Sequence, residues 1–553
     1  VRAFAGLVAS DRACLVTIVL GGLLLLAPAL GGRDLWDPDE PRTAAVTAAM
    51  VAGGSWAVPL LDGRPWLEKP PLYYWLAAAA SRAAGRVDEA TVRLPANAAA
   101  IACAVVVFLL GRELWGRRAG LLAAVVLLTT LDFAIEARWA RPDMLLGFLL
   151  SLAALAAWKA CAPGAATRTP SAWAACFWGA VGLGILAKGP VALLPLAGVA
   201  VFAAAIGRPG VVVRLVTGWG LAAALVPVLG WALAWSAAAG ASFPIGEVLA
   251  RFARRFGEGV HHPRPPLHLL TTLPLALLPW TALLPAAIAE IWPRRTREGR
   301  DERAVFVLSM LITYIALFAM SAEKRGVYLL PIVPLSAVLV GRLWDVRLYP
   351  WEPPPPARAI AAGLLVWLAA IGAAVVWILA RLATEAPGLQ RPAALLGAVG
   401  LAAASAPILL WRRVGAAGAI GLFGGGAALA AFVALHAVMP AIEPYKSPRA
   451  FGGRVAAAAG ADPVAIFRDP HRGIAWYAGR PLHLLPTTGS LEAYLAAPRR
   501  ALVICETQAW ERVAPDVATV ARVVDHGRVG HRGFVLVESA PGAAAPPAAR
   551  ADP

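Results

Sequence analysis

Two short clusters hold most of the side chains in this sequence that could do chemistry. The first is Asp37-Pro38-Asp39-Glu40-Pro41-Arg42, three carboxylates within four positions and then an arginine. Carboxylates so placed can position a nucleophile, take a proton or hold a cation. The same residues also suit a helix start, with Asp39 as N-cap and Pro41 in the first turn. The two readings are compatible, because a capping side chain is a rigidly held one. The second cluster is Trp66-Leu67-Glu68-Lys69-Pro70-Pro71-Leu72-Tyr73-Tyr74-Trp75, a charged pair ahead of a Pro-initiated aromatic helix. An interfacial anchor with a snorkelling lysine would explain the aromatics. It explains the Glu68-Lys69 pair less well.

The elements that must position these clusters belong to a very apolar chain. Of 553 residues, 59% are hydrophobic and 15% charged, and the mean hydropathy is +0.67. Soluble domains lie nearer half apolar and a quarter charged, which argues against a soluble cytosolic enzyme, and the same figures exclude disorder. Apolar runs near the ~20 residues that cross a bilayer recur along the chain. Thirteen candidate spans are expected, at 14–31, 94–111, 119–136, 143–160, 173–187, 189–206, 213–236, 268–291, 304–321, 326–341, 359–380, 393–411 and 414–438. The first follows Arg2 and Arg12 and lacks a small-residue cleavage site, so it is expected to stay uncleaved.

Orientation follows from the basic residues. Arg112, Arg117 and Arg118, the arginines of 294–303, and Arg412 and Arg413 fall in alternate loops on the side of Arg2 and Arg12. The positive-inside rule makes that side cytoplasmic. The outer loops 32–93 and 237–267 and everything after about residue 441 then face outward. Within 32–93, interfacial helices are expected at 42–51 and 72–84. The membrane unit covers 1–440. Short β-like runs at Val464–Phe467, Ala501–Cys505 and Gly533–Glu538 alternate with helical stretches, so 441–540 reads as a small α/β domain, periplasmic by this topology. The Ala/Pro-rich stretch 541–553 is expected to be disordered.

The balance of 50 Lys+Arg against 33 Asp+Glu gives a net charge of +17. No basic domain gathers that charge, which argues against a nucleic-acid partner. The five cysteines, Cys14, Cys103, Cys161, Cys176 and Cys505, suggest no disulfide framework or metal knuckle. Several cations instead stand on the outer side, against the charge rule: Lys188, Arg251, Arg254, Arg255, Arg264, Lys324 and Arg325. Outward cations beside carboxylates suggest an anionic substrate, and guanidinium groups suit phosphate. Contact with anionic lipid headgroups is the competing explanation. Asp143 and Glu136, flanking Arg138 and Arg141, lie at another outer helix end and can reach the same cavity. His261 and His262 could join Glu68 or Asp39 around a divalent metal, although adjacent histidines seldom chelate from one strand or helix face. No cofactor is required by the sequence.

Four motifs occur in order: the Asp-Glu-Pro-Arg loop, Glu-Lys-Pro-Pro before an aromatic helix, Arg-Phe with a downstream His-Pro-Arg, and Ala-Glu-Lys-Arg-Gly-Val-Tyr-Leu-Leu-Pro. Together they resemble the GT-C membrane glycosyltransferases of the protein O-mannosyltransferase superfamily. Within it they look most like the bacterial lipid A 4-amino-4-deoxy-L-arabinose transferases. The resemblance covers roughly 1–440, and such proteins also carry a periplasmic α/β domain. It implies a multi-pass α-helical, GT-C-like fold in the bacterial inner membrane, with Asp39 at the reacting centre. Lys69 and one of Arg251, Arg254 and Arg255 would hold the phosphate of an undecaprenyl phosphate-linked sugar, with Tyr328 nearby. Glu68 would recognise the sugar amine or contact a metal. Glu40, Arg42, Tyr73, Asp143, Arg264 and Lys324 are the further expected substrate contacts.

The implied reaction moves aminoarabinose onto a lipid A phosphate. That lowers the negative charge of lipopolysaccharide and protects against polymyxin and other cationic peptides. The expected partners are the lipid-linked donor, lipid A and membrane lipids, with the chain acting as a monomer. One alternative keeps the fold and glycosylates protein or another lipid. A second is a lipid-linked sugar transporter without chemistry. Transporters often carry internal repeats and buried mid-span charges. This chain shows no repeat and concentrates its charges in the outer loops.

Overall fold

The computed structural model describes residues 8–161, 170–216, 218–258, 263–265, 267–292, 301–348 and 357–540. Among these, seven helices are long and apolar enough to cross a membrane, and Ala172–Lys188, Pro190–Ala205 and Trp280–Ile291 are shorter apolar ones. The chain is a multi-pass α-helical membrane protein. Burial sorts the helices by position. Pro142–Cys161 is 83% buried inside the protein over its most apolar window, and Gly363–Leu382 only 6%. An apolar helix this poorly covered by protein needs lipid around it.

Several expected spans are interrupted. The stretch 119–136 divides into Arg117–Leu128 and Leu131–Glu136. Thr129 and Thr130 intervene, their hydroxyls donating back to the Val125 and Val126 carbonyls. The stretch 326–341 begins as a single 3-10 turn, Gly326–Leu329, and continues after Pro331 as Ile332–Leu348. The region 268–291 is broken between His268–Ala276 and Trp280–Leu283, with Pro279 at the second start. In each case a hydroxyl or proline takes over or removes a backbone hydrogen bond.

Two helices of the loop 32–93, Asp39–Val51 and Leu72–Ala84, lie close to the expected bounds. They pack through Val46, Met50, Tyr74 and Ala78. A hairpin of β1 (Leu60–Leu61) and β2 (Arg64–Pro65) joins them. The helix Ile245–Gly257 is strongly amphipathic, with Ile245, Val248, Leu249, Phe252 and Phe256 set against Glu247, Arg251, Arg254 and Arg255. It buries no residue in the protein, which suits an interfacial position. Phe252 rests on Gly189, where φ is +84° and a Cβ would meet the phenyl ring at 2.2 Å. That contact ties the amphipathic helix to Lys188.

The C-terminal domain is a five-stranded mixed sheet of order β4-β3-β5-β7-β6. Its strands are β3 (Val464–Phe467), β4 (His483–Leu485), β5 (Leu502–Glu506), β6 (Ala521–Val529) and β7 (Arg532–Ser539). β3 pairs in parallel with β4 and β5, and β7 is antiparallel to β5 and β6. Alternate residues of β3 serve opposite faces. Ala465 and Phe467 join Leu491, Leu495, Val513 and Val517 on one, while Val464 and Ile466 join Phe451, Val455 and Ile474 on the other. Helices cover both faces, so this strand is a continuous apolar run.

The domain sits on the loop 32–93. Arg449 donates from Nε to Asp34 at 2.6 Å and from Nη2 to Glu89 at 2.7 Å. The Tyr477 hydroxyl donates to Glu89 at 2.8 Å and accepts from the Leu35 amide at 2.8 Å. The Gly473 amide donates to Asp37 Oδ1 at 3.2 Å. A Cβ at Gly473 would come within 2.0 Å of Asp37 Oδ2, so only glycine permits this approach.

Candidate active site

Asp39 is the first residue of its helix, Pro38 stands at the cap position, and no side chain caps the helix. The carboxylate therefore does not act as the expected N-cap. It is 4% exposed and turned towards cations from three other segments. Lys69 Nζ lies 3.2 Å from Oδ1, Arg325 Nη2 3.1 Å from Oδ2 and Arg141 Nη1 3.7 Å from Oδ2. Burial alone would raise the pKa of this carboxyl. Lys69, Arg325 and Arg141 outweigh that and hold it well below the usual carboxylate range.

A second layer of charge surrounds these groups. Arg141 also bonds both oxygens of Glu136, at 2.5 and 2.7 Å. Lys188 pairs with Asp143, and its ammonium sits 4.6 Å over the Tyr328 ring. Burial lowers the Lys69 pKa, which Asp39 and Asp143 partly offset. Glu68 lies 3.7 Å from Arg42 and 3.5 Å from Arg255. Arg42, Lys69, Arg141, Lys188, Arg255 and Arg325 thus face Asp39, Glu68, Glu136 and Asp143. Cations outnumber carboxylates, which suits an incoming anion.

The three candidate arginines of the helix Ile245–Gly257 are not equivalent. Arg255 meets Glu68, Arg251 pairs with Glu247 one turn away at 2.5 Å, and Arg254 is exposed. Glu40, adjacent to Asp39, is fully buried. Arg33 reaches it at 2.6 Å and Arg93 at 2.7 Å, and the amides of Trp36 and Ala140 donate to it at 3.0 and 3.1 Å. Burial favours its neutral form, but Arg93 and Arg33 prevail and bring its pKa down to about 2. That saturated arrangement is a structural clamp and leaves no oxygen for a substrate.

Other expected substrate contacts also hold the frame. Tyr73 is 1% exposed and donates its hydroxyl to the Val92 carbonyl at 2.9 Å. Lys324 donates to the Arg264 carbonyl at 3.1 Å and to that of Ser321. The Arg264 side chain is exposed, and its amide donates to the Ala322 carbonyl at 3.2 Å. These bonds fix the loop that carries Arg325. Tyr328 donates to Glu323 at 3.3 Å. Among the described residues no group of three His, Cys, Asp or Glu side chains could hold a metal ion. His261 and His262 lie outside the described residues. Arg325 and Arg141, which join Lys69 at Asp39, and Lys188, which meets Asp143, had one signal in sequence, their expected place outside against the charge rule or at an outer helix end.

Comparison with known proteins places this geometry in context. The family model described as dolichyl-phosphate-mannose-protein mannosyltransferase matches residues 68–235. An undecaprenyl phosphate-alpha-4-amino-4-deoxy-L-arabinose arabinosyl transferase of Pseudomonas aeruginosa is 31% identical over 349 residues, covering 61% of this chain and 60% of that protein. One from Pseudomonas fluorescens is 30% identical over 340 residues, covering 59% of each. The chain thus spans about 60% of the length of these curated relatives. The crystal structure of ArnT from Cupriavidus metallidurans bound to undecaprenyl phosphate superposes with a TM-score of 0.80 at 21% identity, over 97% of this chain and 100% of that one. Its apo state gives 0.76 at 20% identity, over 96% and 99%. At that identity the superposition shows the fold alone, and over about 60% of its length the chain is similar in sequence to these aminoarabinose transferases.

Proposed function

We propose that the chain is a polyprenyl-phosphate-sugar-dependent glycosyltransferase that moves 4-amino-4-deoxy-L-arabinose from undecaprenyl phosphate to a lipid A phosphate at the periplasmic face of the inner membrane. The observation that carries this reading is the surplus of cations around Asp39, supplied by Lys69, Arg141 and Arg325 within 3.7 Å of one carboxylate. The names of the sequence relatives, and the lipid bound by the ArnT of the same fold, support the choice of donor and sugar.

The residues suggest how transfer would proceed. As the bond between the anomeric carbon and the donor phosphate breaks, its electron pair stays on the phosphate. Lys69, Arg325 and Arg255 stabilise the growing negative charge in a site largely shielded from water. The acceptor phosphate oxygen forms the new bond from the opposite face. It is already anionic at neutral pH and needs no proton removed. Asp39, held firmly ionised, is a weak base. Its role is to orient the cations and to face the positive charge developing on the sugar ring. Asp143, Glu136 and Glu68 are each within reach of cations of their own. A single displacement with inversion is therefore the simplest course.

Mass spectrometry of lipid A from cells with and without this protein tests the proposal. The expected result is a species heavier by one pentosamine attached to phosphate. An unchanged lipid A profile, with the protein present in the membrane, overturns the acceptor assignment.

A further inference from the structure

A cavity of about 370 Å³ opens where the first outer loop meets the C-terminal domain. Asp37 and Arg42 line it from the loop, and Lys446, His471, Arg472 and Arg532 from the other side. Four buried polar atoms of this lining have no hydrogen-bond partner: Asp37 Oδ2, Arg42 Nε, His471 Nδ1 and Arg472 Nε. Asp37 Oδ2 and His471 Nδ1 stand 3.2 Å apart without making a hydrogen bond. Buried polar groups almost always find partners. Four orphans around one cavity, two from each side, point to a polar occupant.

The charge of the lining narrows the chemistry. Arg532 is paired with Asp469, and Arg472 reaches Asp62 at 2.8 Å. Arg42 is only loosely held by Glu68 at 3.7 Å, and Lys446 has no ion pair among the described residues. An oxyanion would be met by the free donors of Arg42, Arg472 and Lys446. Asp37 and His471 can exchange hydrogen bonds with hydroxyl groups. A phosphate on a hydroxyl-bearing ring satisfies both demands, and the cavity has room for one. Arg42 also links the cavity to the catalytic cluster, since Glu68 precedes Lys69 in the chain.

We propose that this cleft is the acceptor subsite, taking a phosphorylated sugar headgroup between the outer loop and the C-terminal domain. The proposal rests on the glycosyl-transfer reading above, and its test separates the two. The full-length chain in detergent is titrated with glucosamine 1-phosphate, followed by saturation-transfer NMR. Lys446 is exposed, so Lys446→Glu and Lys446→Arg leave the packing intact, which melting curves check. Binding is expected to weaken at least tenfold in Lys446→Glu, to recover partly in Lys446→Arg, and to be weaker for glucosamine itself. In transfer assays with lipid A in micelles, Lys446→Glu should raise the acceptor KM and leave the donor KM unchanged. Equal binding by wild type and Lys446→Glu, no binding by either, or a donor KM that rises with the acceptor KM overturns the subsite. Phosphate-dependent binding without any sugar transfer sinks the transferase reading and supports a headgroup-binding cleft.

Discussion

Asp39 and Glu40 are consecutive residues in the first turn of one helix, and their carboxylates meet entirely different partners. Asp39 faces Lys69, Arg325 and Arg141, and Glu40 is sealed between Arg33 and Arg93. One helical step turns a side chain by about 100°, enough to send one carboxylate into the cation cluster and the other into the frame.

Glu40 should therefore matter for stability first. Glu40→Gln leaves two buried guanidinium groups without their counter-charge, a change that costs on the order of 3–5 kcal/mol. A large fall in melting temperature, or failure to accumulate in the membrane, is the expected outcome. A melting curve within a degree or two of wild type would show that the clamp is not needed.

Lys69 and Arg325 reach different oxygens of the same carboxylate, at 3.2 and 3.1 Å. If both serve one donor phosphate, each alanine variant should lose roughly a hundredfold in kcat/KM, about 2–4 kcal/mol. The double variant should lose less than the sum, because groups acting on one anion are coupled. Strict additivity would separate them.

Arg255 should stand apart from its neighbours on the outer helix. It lies 3.5 Å from Glu68, while Arg251 pairs within its own helix and Arg254 is exposed. Arg255→Ala should slow transfer about tenfold or more, with only partial rescue by Arg255→Lys, since an ammonium lacks the planar fork. Arg251→Ala and Arg254→Ala should each cost less than about threefold. Equal losses at all three would point to general attraction to headgroups.

Asp37 carries a pH signature. Burial, reinforced by Asp469, raises its carboxyl to about 7, while the Gly473 amide, Arg42 and Arg472 act in the opposite direction. His471, facing it, is pushed down by its own burial to about 4, so it is neutral near neutral pH. The folded protein thus binds the Asp37 proton more tightly than the unfolded chain, where the pKa is about 3.9. The resulting stabilisation is full below about pH 4 and is lost as pH rises through 7. Relative to wild type, Asp37→Asn should gain melting temperature between about pH 4 and 7 and hold a constant advantage above that. A difference that does not vary with pH would place the Asp37 pKa at its ordinary value.

Much of this site was legible in sequence because its residues break local rules. Asp39, Glu68 and Lys69 are charges beside aromatic, interface-seeking segments, and Lys188 and Arg325 defy the positive-inside trend. The convergence of Arg141 and Arg325 on Asp39 was not legible, since it depends on chain folding over long sequence separations. Nor did the sequence distinguish Glu40 from Asp39, as both are acidic, adjacent and Pro-flanked. In the C-terminal domain, β3, β5 and β7 stood out as apolar runs. β4 has only three residues, two of them exposed, and β6 includes Asp525 and Gly527 and a register shift, so neither carries the pattern of a strand. The expected spans are interrupted mainly at Thr129-Thr130, Pro279 and Pro331, where hydropathy continues but the backbone ladder does not.

In the proposed reaction, Asp39 and its cations perform sugar transfer from a polyprenyl phosphate. Its most direct test is the single-turnover rate of purified protein with undecaprenyl phosphate-linked aminoarabinose and lipid A, wild type against Asp39→Asn. A pentosamine on lipid A is expected with wild type, and with Asp39→Asn a rate at least about a hundredfold lower, roughly 2.7 kcal/mol or more, at unchanged membrane insertion. Near-equal rates for the two proteins, or no transferred sugar with wild type while the donor stays bound, would contradict it.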